Sequence, residues 1–300
     1  MRVFVTGASG FVGSAVVREL LEAGHQVVGL ARNDDSAATV ASLGAEVQRG
    51  DLTDQDALRT AAAAADGVIH TAFSHDFSDF AGSCAADRAA ITVLGDALAG
   101  SGRPLIITSV VGGLGTFPGR PADETDPLNE TGLAGPRAAA EPLALSYADQ
   151  DVRAMVLRLP LAVHGNGDHA FMPTIISGAR KHGLVPYVAD GANRWPAVHH
   201  LDAARLYRLA IESAPPATTL HAIAEEGIPF HDIAKTIADH LNLPLTRVTP
   251  AEATEYLGFA GAFIATDQPC SSERTKKLLD WQPAHPTLIE DLDKGHYFSD

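Results

Sequence analysis

The sequence Arg2-Val-Phe-Val-Thr6, followed at once by Gly7-Ala-Ser-Gly-Phe-Val-Gly13, decides how this chain folds. The short β-branched run predicts a strand, and apolar residues at helical spacing from Val12 to Leu21 predict a helix directly after it. Three glycines spaced G-x-x-G-x-x-G join the two elements. Such glycines permit a tight turn and let a pyrophosphate approach the free N–H groups at the helix N-terminus. Because this turn lies between a strand and a helix, it predicts a dinucleotide-binding loop rather than a glycine turn without a ligand.

Charge and composition narrow the range of partners. The 300 residues carry 37 Asp and Glu against 22 Lys and Arg, a net charge of −15 that opposes binding to nucleic acid or an anionic membrane. The sequence contains no apolar run of membrane-spanning length, and because the first strand starts at residue 2 we expect no signal peptide. Cys84 and Cys270 fit no metal or redox spacing and are expected to be buried thiols in a reducing compartment. We therefore expect a soluble, cytoplasmic protein that acts on a small molecule.

Strand and helix patterns alternate over the first half of the chain. Strands are predicted at 2–6, 26–31, 45–48, 67–71, 104–108 and 152–159, and helices between them at 36–43, 54–64, 81–99 and 137–148. This alternation predicts an α/β fold with a doubly wound parallel sheet and right-handed crossovers.

The regular alternation ends near residue 163. A polar, glycine-rich loop at 164–169 precedes helices predicted at 173–181, 203–213 and 229–241 and a strand-like segment at 184–188. We predict a dinucleotide-binding domain over 1–163 plus about 198–222, and a smaller C-terminal α/β substrate-binding domain over 164–197 plus about 223–300. The second domain is expected to lie over the carboxyl ends of the strands, where open α/β sheets bind ligands.

Four segments resemble the extended branch of the short-chain dehydrogenase/reductase superfamily, which includes nucleotide-sugar epimerases and carbonyl reductases. They are Thr6-Gly-Ala-Ser-Gly-Phe-Val-Gly13, Gly50-Asp51-Leu52-Thr-Asp54, Leu157-Arg158-Leu-Pro160-Leu-Ala-Val-His-Gly165 and Val198-His199-His-Leu-Asp202-Ala-Ala204. The resemblance implies a Rossmann-type sheet and a nicotinamide dinucleotide cofactor. The implied cofactor contacts are Gly7, Ser9, Gly10, Phe11, Val12, Gly13, Arg32, Asp51, Leu52, Thr71, Ala72, Phe73, Thr108, Arg137, Leu159, Pro160, Leu161 and Val163.

The end of the second strand favours NADP over NAD. An NAD site has an Asp or Glu there to accept a hydrogen bond from the ribose 2′-hydroxyl. Here Ala31 takes that place and Arg32 follows, and a guanidinium forms a bidentate pair with a 2′-phosphate. The alternative is that Arg32 is a solvated loop residue, and Asp34 and Asp35 nearby weaken the positive field. We predict NADPH/NADP+.

Members of this superfamily carry a Ser or Thr after the fifth strand and a Tyr-x-x-x-Lys on the next helix, in which the Tyr is the acid. With Glu141 as the anchor, these positions fall on Val110, Leu133 and Arg137, so the Tyr and the Lys are missing. Two interpretations remain open. In one, the protein is a reductase in which Ser109, Thr108, a histidine such as His164, water or the substrate's own acidic hydroxyl meets the oxyanion. In the other, it is a non-catalytic NADP-binding sensor or scaffold.

We favour an NADPH-dependent reductase of a ketone or quinone carbonyl on an aromatic polycyclic substrate, similar to the angucyclinone-type ketoreductases of antibiotic biosynthesis. A nucleotide-sugar epimerase or dehydratase is disfavoured, because that chemistry needs the Tyr as a base. Candidate substrate contacts are Phe73, His164, His169 and Trp195, with core packing or loop hydrogen bonding as the alternative for each.

The remaining histidines predict no metal site, because their spacing completes no zinc-like ligand set. His199 is expected to be structural and oriented by Asp202. A homodimer paired through two helices at the flank of the sheet is a further expectation from the resemblance.

Overall fold

The computed structural model describes residues 1–74, 79–129 and 135–299. Its strands are β1 (Arg2–Thr6), β2 (Gln26–Ala31), β3 (Glu46–Arg49), β4 (Gly67–His70), β5 (Pro104–Val110), β6 (Arg153–Leu159), β7 (Ala162–His164), β8 (Val185–Val188), β9 (Arg194–His199), β10 (Thr218–His221), β11 (Glu225–Pro229) and β12 (Leu245–Val248). Its helices are α1 (Phe11–Glu22), α2 (Asp34–Ser42), α3 (Gln55–Ala63), α4 (Phe80–Leu98), α5 (Gly135–Ala138), α6 (Ala140–Ser146), α7 (Phe171–His182), α8 (His200–Ser213), α9 (Phe230–Leu241), α10 (Pro250–Leu257), α11 (Glu273–Leu279) and α12 (Leu288–Asp293).

Seven parallel strands form the main sheet in the order β10-β6-β5-β4-β1-β2-β3. This is the doubly wound, Rossmann-type arrangement that the sequence predicts. The strand order reverses between β1 and β4, which pair with Thr6 opposite His70. The crevice at the carboxyl ends of these two strands is where open α/β sheets bind their ligands, and the glycine turn after β1 opens into it.

Helices cover both faces of the sheet. On one face α1 packs against α8, and their apolar side chains form a core with the β-strands and Trp281. On the other face α3, α4 and α6 form a second core around Phe4 and Ile107. Both faces are buried, which explains why the central strands are nearly continuous apolar runs.

A third core is built from residues after 160. It contains Trp195 and Phe230 and is enclosed by α7, α9, α10 and α12. Two small sheets belong to this region, one ordered β11-β9-β7 and one pairing β12 with β8. Among the described residues, the helices lack the combination of length and apolarity that a bilayer crossing requires.

Several predicted elements differ from those observed. The helix predicted at 137–148 is divided into α5, α6 and a 3₁₀ turn at 147–150. Pro142 explains the break, because a proline ring clashes with the carbonyl four residues earlier, and that residue, Ala138, ends α5. The helix predicted from 203 begins at His200 instead, where the His199 ring accepts a hydrogen bond from Leu201 N. The strands β7, β9, β10, β11 and β12 were not predicted.

Both cysteines are buried free thiols, as the sequence predicts. Cys84 is 1% and Cys270 0% exposed, and burial raises the pKa of both thiols, that of Cys270 to about 12.

Candidate functional site

The glycine turn is so tightly packed that a side chain on two of its three glycines would collide with backbone atoms. Gly7 has φ +69°, and a Cβ there would lie 2.7 Å from Ala72 N. A Cβ on Gly13 would lie 2.0 Å from Gly7 O. Gly10 N donates to Gly7 O at 2.9 Å and closes the turn. These contacts bring the start of α1 directly against the end of β1.

The turn aims the N-terminus of α1 at the crevice. The first helical bond runs from Ser14 N to Gly10 O at 2.8 Å, so the N–H groups of residues 11 to 13 precede the helix's own bonding. Gly10 is the N-cap and has no side chain to occupy those donors. A cradle of N–H groups at the positive end of a helix dipole, with no Cβ in front of it, fits a dinucleotide pyrophosphate.

The end of β4 is fixed to β1 by side chains. Thr71 Oγ1 donates to Thr6 O at 2.7 Å, and Ala72 N donates to Thr6 Oγ1 at 3.3 Å. Thr6 Oγ1 also bonds to His70 Nδ1 at 2.7 Å, and His70 Nε2 bonds to Asp87 Oδ1 at 3.1 Å. This buried network holds the predicted cofactor contacts Thr71 and Ala72 against the glycine turn.

Arg32 and Asp51 lie near each other beyond β2. Ala31 is 1% exposed and Arg32 follows it on the surface. Hydrogen bonds from the Thr53 hydroxyl and amide, both 2.7 Å, lower the pKa of the Asp51 carboxyl, and the Arg32 charge lowers it further. Asp34 instead bonds to Arg49 Nη2 at 2.5 Å. The structure therefore brings the two predicted adenosine-side residues together, with half-buried Leu52 next to them.

At the end of β5, Thr108 and Ser109 differ in what their hydroxyls contact. Thr108 Oγ1 donates to His70 O at 2.8 Å and bonds to the hydroxyl of Tyr207, on α8, at 2.6 Å. Ser109 is 1% exposed, and its Oγ has no partner within the described ranges. Val110, in the predicted Ser position, is half-buried and has no hydroxyl. Ser109 is therefore the hydroxyl at this strand end that is left to bond a ligand.

Arg137, which occupies the predicted Lys position, reaches the same strand end. Its Nη2 donates to Thr108 O at 3.2 Å, and its Cζ lies 3.8 Å from the centroid of the Phe73 ring. The residue is 9% exposed, and burial lowers the pKa of its guanidinium while the negative charge of Asp87 opposes that shift. A guanidinium keeps its proton even so. Leu133, in the predicted Tyr position, lies outside the described residues.

The segment after β6 turns back over the sheet edge. Leu159, Pro160 and Leu161 are buried, and Val163 pairs with Val198 in the small sheet. His164 is 0% exposed, its Nδ1 bonds to Asp291 Oδ2 at 3.0 Å, and its Nε2 has no partner in the described part of the chain. His169 instead lies on the surface, edge-on to Phe11 at 6.0 Å. The structure separates these two candidate substrate histidines, one in the interior and one beside the glycine turn.

The prediction that Asp202 orients His199 is wrong. Both Asp202 carboxylate oxygens bond to the segment before α12, through Ala284 N at 2.9 Å and through His285 N and Nδ1 at 3.0 and 2.8 Å. His199 stacks on the His285 ring at 4.8 Å instead. Burial, together with repulsion from His200, lowers the pKa of His199 to about 3. His199 is therefore a neutral ring at physiological pH.

Trp195 takes the core alternative that the sequence left open. It is 0% exposed and packs against Phe171 at 5.3 Å and Phe230 at 5.1 Å. The Trp195 side chain is thus enclosed in the third core.

No three or more His, Cys, Asp or Glu side chains come together as a metal site in the parts of the chain that the structure describes. Two surface cavities of about 480 and 380 Å³ are also present, and none of the predicted cofactor or substrate residues lines either of them. The candidate site is therefore the crevice between β1 and β4, extended to the end of β5.

Comparisons with known proteins agree with this geometry. Residues 3–220 match the NAD dependent epimerase/dehydratase family. The chain is similar to an uncharacterized protein of Schizosaccharomyces pombe, 46% identical over 99% of this chain and 100% of that one. It is also similar to a 2-alkyl-3-oxoalkanoate reductase of Stenotrophomonas maltophilia, 32% identical over 81% of this chain and 77% of that one. A dTDP-glucose 4,6-dehydratase of Bacillus anthracis solved with NAD is 17% identical over 99% of this chain and 95% of that one, and its TM-score of 0.78 shows a shared fold.

Proposed function

Since this chain belongs to the NAD dependent epimerase/dehydratase family, and is thus an NAD(P)-dependent oxidoreductase, we propose that it is an NADPH-dependent reductase of ketone or quinone carbonyls. One observation carries the proposal. A glycine cradle that fits a pyrophosphate follows β1, and two strands along, at the end of β5, Ser109 Oγ and Arg137 Nε are buried polar atoms without a hydrogen-bond partner among the described residues. Donors of this kind next to a dinucleotide suit a substrate carbonyl that becomes an oxyanion.

Each part of the crevice has a definite task in this proposal. NADPH, when bound, would supply the hydride that the carbonyl carbon accepts. The N–H groups of residues 11 to 13 hold the pyrophosphate, and Thr71 and Ala72 define the wall beside the cofactor ribose. Ser109 donates a hydrogen bond to the carbonyl oxygen and stabilises the negative charge that develops there. Holding the carbonyl and the cofactor in register lowers the barrier by several kcal/mol, on the order of measured effective-molarity effects.

Tyrosine placement supports hydride transfer without a tyrosine acid. Tyr207 is 0% exposed and bonds to Thr108 behind the sheet, and burial raises its pKa far above neutrality. Tyr147 bonds to Thr92 O and Asp96 Oδ1, and burial raises its pKa to about 12. Tyr187, Tyr256 and Tyr297 belong to the third core. We infer that the alkoxide takes its proton from water or from an acidic hydroxyl of the substrate. The same placement disfavours epimerase or dehydratase chemistry, which needs the tyrosine as a base.

The preference for NADPH rests on Arg32. It is exposed, it follows a buried Ala31 where an NAD site has an acid, and the neighbouring Asp34 is bonded to Arg49. A guanidinium in this place offers paired donors to a 2′-phosphate.

We infer a small substrate with a flat, apolar body, and a polycyclic aromatic ketone of polyketide type has this shape. The Phe73 and Phe80 rings lie edge to face at 6.1 Å beside the crevice and supply apolar surface. The similarity to a reductase of 2-alkyl-3-oxoalkanoates supports carbonyl reduction as the class of reaction.

The test is transfer of a labelled hydride. Purified protein is incubated with NADPH that is deuterated at C4 of the nicotinamide and with a panel of polycyclic ketones, quinones, simple ketones and nucleotide sugars. With a ketone substrate we expect deuterium on the new carbinol carbon. With a quinone substrate we expect NADPH to be consumed in step with formation of the hydroquinone. Tight NADPH binding without consumption by any carbonyl compound would instead favour a sensor or scaffold. Epimerised or dehydrated sugar would contradict the proposal outright.

A further inference from the structure

Two buried arginines on the α6 side of the sheet differ in whether a carboxylate pairs with them. Arg158 is 3% exposed, and its Nε and Nη2 bond to the two carboxylate oxygens of Glu141 at 2.9 and 2.7 Å. Arg137 is 9% exposed and forms no ion pair with a described residue. A buried cation without an anionic partner is costly, and an anion bound beside it would offset that cost.

The acids nearest to Arg137 are already engaged. The charges of Asp87 and Glu141 oppose the lowering of its pKa, so both are close enough to act on it. Asp87 however bonds to His70, and Glu141 bonds to Arg158. Neither carboxylate lies within ion-pair distance of Arg137.

The contacts that Arg137 makes fix the position of its guanidinium but do not neutralise its positive charge. Nη2 donates to the neutral carbonyl of Thr108, and the guanidinium lies over the Phe73 ring. Stacking on a ring fixes the plane of a guanidinium and leaves the donors on its edge free. Nε has no partner in the described part of the chain, and neither has Ser109 Oγ, on the residue after Thr108. Two donors without a partner among the described residues, both on side chains at least nine-tenths buried, thus lie at the same strand end.

We propose that Arg137 binds a carboxylate of the substrate while Ser109 donates to the neighbouring ketone oxygen, and therefore that the natural substrates are oxo acids with an ionised carboxylate close to the ketone. A carboxylate matches the planar donor fork of a guanidinium and offsets the cost of its burial. This assignment rests on the proposed reductase function and narrows its substrate class. Arg137 keeps its proton throughout the reaction, so its task is to bind and orient the substrate.

The experiment compares an oxo acid with its uncharged ester. The probes are 3-oxooctanoate and its methyl ester, which carry the same ketone, assayed at saturating NADPH. We expect the wild-type protein to reduce the acid with a kcat/KM about a hundredfold above that of the ester, as expected for one buried charge pair. Arg137→Met should remove this preference, and Arg137→Lys, which keeps the charge but loses the fork, should reduce it about tenfold.

Arg88→Met is the matched control. It removes the same charge from a partly exposed arginine whose Nη1 donates to Pro136 O at 3.0 Å, directly before Arg137. The control should retain the acid preference. Thermal unfolding and NADPH titration establish that each variant is folded. If Arg137→Met does not fold, the acid preference of Arg137→Lys is the test instead.

Equal kcat/KM for acid and ester in the wild type would overturn the inference. So would an acid preference that survives Arg137→Met while both rates fall together, the result expected if Arg137 contacts only the cofactor ribose. If the deuterium screen detects no carbonyl reduction at all, the proposed function fails separately. The inference is then judged by binding of 3-oxooctanoate to the complex with NADP+, which should be saturable in the wild type and lost in Arg137→Met, and its absence in the wild type would count against it.

Discussion

Replacing Gly10 by alanine separates cofactor binding from folding. Gly10 has φ −80°, which any L-residue adopts, and a Cβ there would meet only Gly7 O, at 3.3 Å. A Gly→Ala change at a compatible position stabilises a protein by about 0.4–1 kcal/mol through the unfolded chain, and the weaker N-cap and the tight contact offset part of that gain. The free energy of unfolding should therefore change by less than about 1 kcal/mol.

In the proposed complex the backbone at the second glycine approaches the pyrophosphate closely, so the same methyl group would stand against the phosphates. If it displaces the phosphates from two backbone N–H groups, and each charge-assisted bond contributes about 1.5–3 kcal/mol, the loss is about 3–6 kcal/mol. That corresponds to roughly two to four orders of magnitude in the NADPH Kd. The assay is fluorescence titration with NADPH, with urea unfolding measured on the same samples. Gly13→Ala is the comparison, because its Cβ would lie 2.0 Å from Gly7 O and should reduce stability as well as binding. An unchanged NADPH Kd in folded Gly10→Ala would refute the cofactor cradle.

Three further predictions follow from other parts of the chain. Arg32→Ala should raise the Kd of NADPH by about a hundredfold and leave that of NADH nearly unchanged, and equal losses for both in fluorescence titration would remove the 2′-phosphate assignment. Glu141→Gln should cost about 3–5 kcal/mol in urea unfolding, because it leaves buried Arg158 unpaired; a loss below about 1 kcal/mol would contradict that pairing. The His221 ring is buried between an Arg158 donor and Ser271 O, and burial lowers its pKa to about 4 from 6.5. As the pH falls, His221 is therefore protonated in the unfolded chain before it is protonated in the folded protein. This difference should lower the free energy of unfolding by about 2 kcal/mol between pH 7 and pH 5. His221→Asn should show a correspondingly smaller loss on acidification, and equal losses for variant and wild type would be inconsistent with a neutral buried ring.

The main sheet was predictable because its signals are local and repeated. Each central strand is an apolar run followed by a helix, and the glycine turn fixes the place of the first unit. The strands β7, β9, β10, β11 and β12 were missed because each has only three to six residues and its pairing depends on tertiary contacts. The break between α5 and α6 did have a signal, since Pro142 lies inside the predicted helix.

The sequence points to candidate site positions but does not reveal their surroundings. Motif spacing led to Arg32, Ser109 and Arg137, and the structure brings the last two to one strand end. The partner of Asp202 was mistaken because its actual partner, His285, is 83 residues away in sequence and belongs to no motif. The missing carboxylate beside Arg137 also required the fold, because only the fold shows that Asp87 and Glu141 are bonded elsewhere.

The most direct test of NADPH-dependent carbonyl reduction is a nucleotide titration, followed by addition of a carbonyl substrate. Purified protein is titrated with NADPH and, separately, with NADH, and a carbonyl substrate is then added to the saturated NADPH complex. We predict saturable binding of NADPH, about tenfold or more tighter than that of NADH, and loss of reduced-nicotinamide fluorescence when an oxo acid or a polycyclic ketone is added. Binding without oxidation by any carbonyl compound would contradict the reductase function, and no binding of either nucleotide would contradict the site itself.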